Sequence, residues 1–207
     1  MLGVSNAQDA VRRGVRRSVG REYPRVSVVI PTVGRSSLQR AVDSASWADE
    51  VIVVFDAAEI PAQIPTGATV YAHGPTGHWG AEQRSLGMSV ATGTHIAFMD
   101  DDDVFTDDAG RAIGRALAAW PSRVHIFRMR CGDRLFGGYN CIWEGGISTQ
   151  MFVVPNDDCL GRWSTRYEGD FDFINSTLAA RTRRPRFHED VIALVREPRR
   201  SLVAGDD

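Results

Sequence analysis

The apolar positions of this chain alternate between two rhythms. Val26 to Thr32 is a continuous, β-branched run, as expected of a strand buried on both faces, and it stops at Pro31-Thr32-Val33-Gly34. A helix should follow: Ser36 or Ser37 can cap it, and Leu38, Ala41, Val42 and Ala45 recur at helical spacing on one face. Val51 to Phe55 reads as a second buried strand ending at Asp56, and Ala68 to Ala72 as a weaker third. His78 to Ala91 reads as a helix with Trp79, Leu86 and Val90 inward and Gly93 just past its end. His95 to Met99 is a short apolar strand that runs straight into Asp100-Asp101-Asp102-Asp103. Asp107 and Asp108 then cap a helix with an apolar stripe of Ala109, Ala112, Ile113, Ala116, Leu117 and Trp120, ended by Pro121.

Beyond this point the regular alternation stops. Arg123 to Arg130 is strand-like, Gly137-Gly138 and Gly145-Gly146 mark turns, and Ile147 to Val154 reads as another strand. Glu168 to Ala180 returns to helix with Phe171, Ile174 and Leu178 on one side, and Arg186 to Val195 reads as a closing strand. The pattern is α/β, in one domain over residues 25–200. It is preceded over 1–24 by an Arg-rich lead-in and followed over 201–207 by a polar tail. The lead-in places Val11, Val15 and Val19 at helical spacing among Arg12, Arg13, Arg16, Arg17 and Arg21. Such a helix could touch a membrane surface or a partner, although a solvated helix packed on the domain is commoner.

Composition narrows the chemistry. The chain has 207 residues, 43% hydrophobic, with 24 basic against 26 acidic side chains, which suits a globular domain and argues against a nucleic-acid binder. No apolar stretch approaches the ~20 residues of a membrane span. Every basic residue is Arg, so Schiff-base and pyridoxal catalysis, a phosphate-loop lysine and lysine-dependent nucleotidyl transfer are excluded. Cys131, Cys141 and Cys159 match neither a zinc site nor a disulfide framework, and no secretory leader is evident, so a cytoplasmic location is expected.

In an open parallel α/β sheet, ligands bind beyond the carboxyl ends of the strands. Thr32 and Arg35 follow the first strand, Asp56 the second, and the four aspartates the strand at His95 to Met99, so the polar candidates share one rim. Four adjacent, partly desolvated carboxylates repel one another, and a divalent cation is the economical compensation. In an extended segment Asp100 and Asp102 point the same way, which suits two oxygen ligands of Mg²⁺ or Mn²⁺ with other positions left for water or phosphate. The competing reading is an acidic loop that merely caps the next helix. A metal without lysine or a Gly-x-Gly-x-x-Gly turn suits a diphosphate held through the ion.

At this point the chain resembles a known family. Val26-Ser-Val-Val-Ile-Pro-Thr32, Glu50-Val-Ile-Val-Val-Phe-Asp56, Gln83-Arg84-Ser85 leading to Ala91 through Asp103, and Tyr167-Glu-Gly-Asp-Phe-Asp-Phe173 are, in order and spacing, similar to the inverting family 2 glycosyltransferases. Those enzymes have the GT-A fold, a Rossmann-like arrangement with a mostly parallel central sheet flanked by helices. The resemblance implies that Pro31, Thr32 and Asp56 line the nucleoside pocket, and that Arg84 lies near the donor with Asp100 and Asp101. It places Asp100 and Asp102 on the Asp-x-Asp metal motif, with Asp102 the more direct ligand, and makes Asp170 the base that activates the acceptor. Val33 stands where an aromatic is common, Phe55 where a second acid is usual, and Gln83 and Ser85 in place of Ala and Asn.

Asp170 is expected at a helix start, where the dipole keeps a carboxylate ionised and able to take the acceptor's proton in the transition state. His188 could add a third metal ligand, though a lone strand histidine is more often packed. For Trp79, Trp143 and Trp163, core packing competes with stacking on a sugar. The function expected is metal-dependent, inverting transfer of a sugar from a nucleotide-diphosphate donor to a hydroxyl on a small-molecule or glycan acceptor. The alternatives are a catalytically silent nucleotide- and metal-binding module acting through a partner, and, more remotely, a sugar nucleotidyltransferase.

Overall fold

A computed structural model of the chain describes residues 23–137 and 140–195. The expected lead-in helix and polar tail lie outside the described residues, apart from the junction at Tyr23 and Pro24. β1 (Val26–Thr32) is buried along its whole length, as its β-branched run predicts. α1 (Leu38–Ser44) buries Leu38, Ala41 and Val42; Ser37 precedes it without making a side-chain cap. β2 (Glu50–Phe55), β3 (Thr69–Ala72), α2 (Ala81–Val90) and β4 (His95–Phe98) follow. Then come a short β5 (Val104–Phe105), α3 (Ala109–Ala119), β6 (His125–Cys131) and β7 (Arg134–Phe136). A 3₁₀ turn (Thr149–Met151), β8 (Phe152–Pro155), α4 (Gly169–Ala179) and β9 (Arg186–Val195) complete the fold.

The strands form one sheet in the order β3-β2-β1-β4-β8-β6-β9-β5, with β7 paired to β6. β3, β2, β1 and β4 are parallel, as are β6 and β9, while β8, β5 and β7 run antiparallel to their neighbours. The chain builds outward from β1 to β3 and then returns to place β4 on the other side of β1. The loops leaving β1 and β4 therefore diverge, and the crevice between them is the place where such sheets bind ligands.

Two packing features position that crevice. A Cβ on Gly87 would lie 2.3 Å from Val29 Cγ1, so α2 crosses β1 at a distance that only glycine permits. This holds Gln83 and Arg84, one turn earlier, against the site. An aromatic cluster fixes α4: Trp163 stacks on Phe173 at 4.3 Å and 2°, and Phe98 of β4 meets Phe173 at 5.5 Å. The amino end of α4 is thereby tied to the strand that carries the aspartates.

Several expectations are corrected. α2 begins at Ala81, leaving Trp79 outside the helix and exposed, and its buried residues are Ala81, Gln83, Arg84 and Gly87. The inward face is polar because it lines the crevice. Asp108 precedes α3 without a side-chain cap and pairs instead with Arg111, and Trp120 lies beyond the buried stripe. The segment expected as one strand over 147–154 is a 3₁₀ turn followed by β8. β5 and β7 had no expected counterpart. No helix among the described residues is long and apolar enough to cross a membrane.

Candidate active site

β4 hands its ladder on through Met99, whose N–H donates to Val29 O, and the chain then turns, with Asp103 N–H donating to Asp100 O at 3.2 Å. The aspartate run is thus a turn and not the extended segment expected, so strand alternation does not set the directions of Asp100 and Asp102. Much of its charge is met by the protein itself. Thr32 Oγ1 donates to Asp101 Oδ2 at 2.6 Å and Arg35 Nε lies 2.9 Å from Asp101 Oδ1. Arg84 donates to Asp100 Oδ1 at 2.5 Å. Gln150 Nε2 donates to both Asp100 Oδ2 (2.9 Å) and Asp103 Oδ2 (2.6 Å). The divalent cation expected as compensation is therefore not the sole counter to this charge: two guanidiniums, a hydroxyl and an amide do part of that work.

Burial still pushes the Asp101 carboxyl above the usual carboxylate range, against the lowering by Thr32 and Arg35 and with help from the neighbouring Asp102 and Asp100 charges. Asp102 is the least engaged of the run. Its side chain is 30% exposed, and Arg35 Nε approaches it only at 4.0 Å. Among the described residues no group of three His, Cys, Asp or Glu side chains could hold a metal ion.

Asp56, at the end of β2, gathers the loop before α2. Its Oδ1 accepts from Thr76 N (2.6 Å) and Gln83 Nε2 (2.8 Å), and its Oδ2 from Gly77 N (3.1 Å). Burial raises its pKa, but these hydrogen bonds together outweigh burial and hold the carboxyl below its usual value. Arg84, only 7% exposed, also donates through Nη1 to Trp79 O at 2.7 Å and lies 5.1 Å over the Trp163 ring, while its Nε has no partner.

Asp170 occupies the first turn of α4, as expected, and its Oδ1 accepts from Phe171 N at 2.8 Å. Burial dominates there and raises its pKa, although the Phe171 amide and the Arg84 charge oppose it.

Two cavities share this rim. One, of about 320 Å³, is lined by Pro31, Thr32, Asp56, Gln83 and the Asp100–Asp102 turn among others. The second, of about 310 Å³, reaches from His78 to Asp170 past Trp163 and Tyr167. Trp79, Arg84 and Asp100 line both, so the two form one bent cleft. Pro31, Thr32, Asp56, Arg84, Asp100, Asp101, Asp102 and Asp170 are therefore brought together. His188 is not. It lies near the start of β9, beside the start of β6, with Nε2 2.9 Å from His125 Nδ1 and its ring stacked on Phe127 at 4.5 Å. β6 runs parallel to β4, so that pair sits at the end of the sheet opposite the aspartates. Burial holds His125 down to about 4 and His188 below its ordinary value.

Residues 27–128 match the family model described as Glycosyl transferase family 2. That segment is a glycosyl transferase family 2 domain. The family 2 domain resembles solved structures of S. aureus TarS in fold, at low sequence identity. Against one TarS structure the TM-score is 0.65 with 13% identity, covering 83% of this chain and 36% of that one. Against TarS 1–349 in complex with UDP it is 0.64 with 16% identity, covering 83% and 60%. Against TarS 1–349 in complex with UDP-GlcNAc it is 0.59 with 13% identity, covering 84% and 59%. The chain thus spans between about a third and three-fifths of the length of these structures, and the likeness is one of GT-A fold. No curated protein matches it in sequence.

Within the family 2 domain and its flanking strands, sequence reasoning missed Gln150, which is 2% exposed and bridges two aspartates. The signal was an amide immediately before the apolar run Met151-Phe152-Val153-Val154. Arg35 was placed on the rim but given no role, and Trp79 was placed inside a helix. Trp163 is partly buried, packing against Phe173 and Phe98 while also lining the Asp170 arm.

Proposed function

We propose that the chain is a metal-dependent, inverting glycosyltransferase that moves a sugar from a nucleoside-diphosphate donor to an acceptor hydroxyl. The observation that carries this reading is the bent cleft, whose two arms meet at Arg84 and Asp100. A nucleoside lying along Pro31, Thr32 and Asp56 would bring its diphosphate past Asp100–Asp102 and its sugar toward Asp170. Uridine diphosphate is the first nucleotide to test, because the similar TarS domain is solved with UDP and with UDP-GlcNAc.

The residues present fit a divalent ion that arrives with the diphosphate. Mg²⁺ and Mn²⁺ are commonly bound by one or two carboxylates plus substrate phosphates, and Asp102 keeps free oxygen capacity beside Asp100. Asp102, assisted by Asp100, would hold Mn²⁺ or Mg²⁺, which when bound supplies Lewis-acid neutralisation of the diphosphate charge.

The chain's own groups do the rest. Arg84 and Arg35 set positive charge beside the departing diphosphate. Asp170 accepts the acceptor's hydroxyl proton as the new bond from that oxygen to the anomeric carbon forms. The bond from the anomeric carbon to the diphosphate oxygen breaks on the opposite side, and its electron pair leaves with the diphosphate. One carboxylate and one in-line displacement invert the anomeric centre. Burial raises the pKa of Asp170, which makes its carboxylate a stronger base toward the acceptor hydroxyl.

The test is turnover of labelled UDP-sugars with an acceptor panel, with and without EDTA, for wild type and Asp170→Asn. Metal-dependent UDP release and sugar transfer that Asp170→Asn abolishes support the reading. Binding of UDP with no transfer under any condition would replace it with a silent binding module.

A further inference from the structure

The mouth of the Asp170 arm carries two large aromatic side chains that the fold does not use. Trp79 is 66% exposed and Tyr167 is 72% exposed, yet their rings meet at 5.2 Å and 85°. A perpendicular pair makes a corner with open ring faces, unlike the parallel Trp163–Phe173 stack, whose rings cover one another. The two rings come from different elements, the loop before α2 and the loop before α4, so the corner spans the entrance between them. Trp79 also holds a left-handed backbone, φ 52°, which a bulky residue adopts at a conformational cost. Its carbonyl is fixed there by Arg84 Nη1. The strain and the exposure together keep an apolar face in water where nothing in the core requires it.

The geometry points to an acceptor subsite for a neutral pyranose ring, seated in the Trp79–Tyr167 corner with its hydroxyl directed to Asp170. This rests on the proposed transfer reading and adds the substrate class. The apolar, C–H-bearing face of a pyranose complements the negative π face of an aromatic ring, whereas an acyclic polyol offers no such plane. Charge selects further. Arg166, beside Tyr167, is countered by Glu144 at 2.9 Å, Asp172 at 2.7 Å and Glu168 at 3.7 Å. With Asp170 beyond them, this wall is net negative, which disfavours a phosphorylated or carboxylated acceptor. Tyr167 lines only the Asp170 arm, and Trp79 stands where the two arms join, so the corner opens onto the Asp170 arm from the junction outward.

The experiment uses the full chain and saturation-transfer difference NMR with chitotriose, cellotriose and maltotriose as probes, and with sorbitol and ribitol 5-phosphate as counter-probes. It needs no turnover. At least one trisaccharide should receive saturation through its ring protons, with affinity reduced at least ten-fold in Trp79→Ala, reduced in Tyr167→Ala and restored in Trp79→Phe. Thermal melting of each variant verifies the fold. Where transfer is measurable, Tyr167→Ala should raise the acceptor KM and not the donor KM. The proposal is overturned if no trisaccharide binds, if the counter-probes bind as well, if binding survives Trp79→Ala in a folded protein, or if Tyr167→Ala raises the donor KM. Trisaccharide binding without any turnover would defeat the transfer reading alone, while turnover indifferent to both aromatics would defeat this one alone.

Discussion

Replacing Gln150 by Leu removes the amide that ties the aspartate turn to the sheet while keeping nearly the same volume. Gln150 Nε2 donates to the buried Asp103 at 2.6 Å and to Asp100 at 2.9 Å, and its Oε1 accepts from Ser148 Oγ at 2.5 Å. A hydrogen bond to a charged acceptor contributes about 1.5–3 kcal/mol when the acceptor is buried. The Asp103 bond counts in full. The Asp100 carboxylate is 35% exposed, so water replaces much of the second bond. The sum is a loss of about 2–4 kcal/mol in unfolding free energy, or a fall in Tm of about 5–15 °C for a domain of this size. Urea unfolding and thermal melting measure both. In an Asp103→Asn background the Gln150→Leu cost should shrink, because the charge that strengthened the bond is gone. A change below about 0.5 kcal/mol, or an undiminished cost in that background, would refute the claim that Gln150 holds the turn.

Other outcomes follow from the same geometry. The acid limb of kcat/KM should lie above the ordinary carboxylate value, because burial raises Asp170; activity is then lost as pH falls through that raised pKa. Arg84→Gln removes the charge that opposes the shift and should move the limb to still higher pH, and an unmoved limb would take Asp170 out of the titration. Asp102→Ala should weaken Mn²⁺-dependent UDP binding at least ten-fold in calorimetry while leaving the fold intact; unchanged affinity would contradict the metal assignment. Gly87→Ala should destabilise by about 1–3 kcal/mol, since its Cβ would meet Val29 Cγ1 at 2.3 Å, and should lower donor affinity by displacing Arg84; a neutral melt would refute the close crossing of α2 on β1.

Much of the fold was legible because burial on both faces leaves a plain mark. β1 matches its β-branched run residue for residue, and β9 was bounded correctly from Arg186 to Val195. α2 was legible as a helix but not in its orientation, since periodicity assumes that the inward face is apolar. Here the inward face carries Gln83 and Arg84 because it lines a cleft. The site was legible where chemistry concentrates in sequence, as in four consecutive aspartates at a strand end. It was not legible where single residues arrive from distant segments. Gln150 reaches the turn because β8 runs antiparallel beside β4, a pairing that no local pattern announces. The parallel β6–β9 pairing likewise carries His188 to the far end of the sheet, where it is packed as a lone strand histidine commonly is and is not brought to the aspartates.

A crystal structure of the chain with UDP and Mn²⁺ tests the central claim most directly. Uridine should lie along Thr32 and Asp56, with a manganese ion between Asp102 and the diphosphate and the terminal phosphate facing Asp170 across Arg84. A nucleotide bound elsewhere, with the aspartate turn facing bulk solvent and no ion at Asp102, would contradict it.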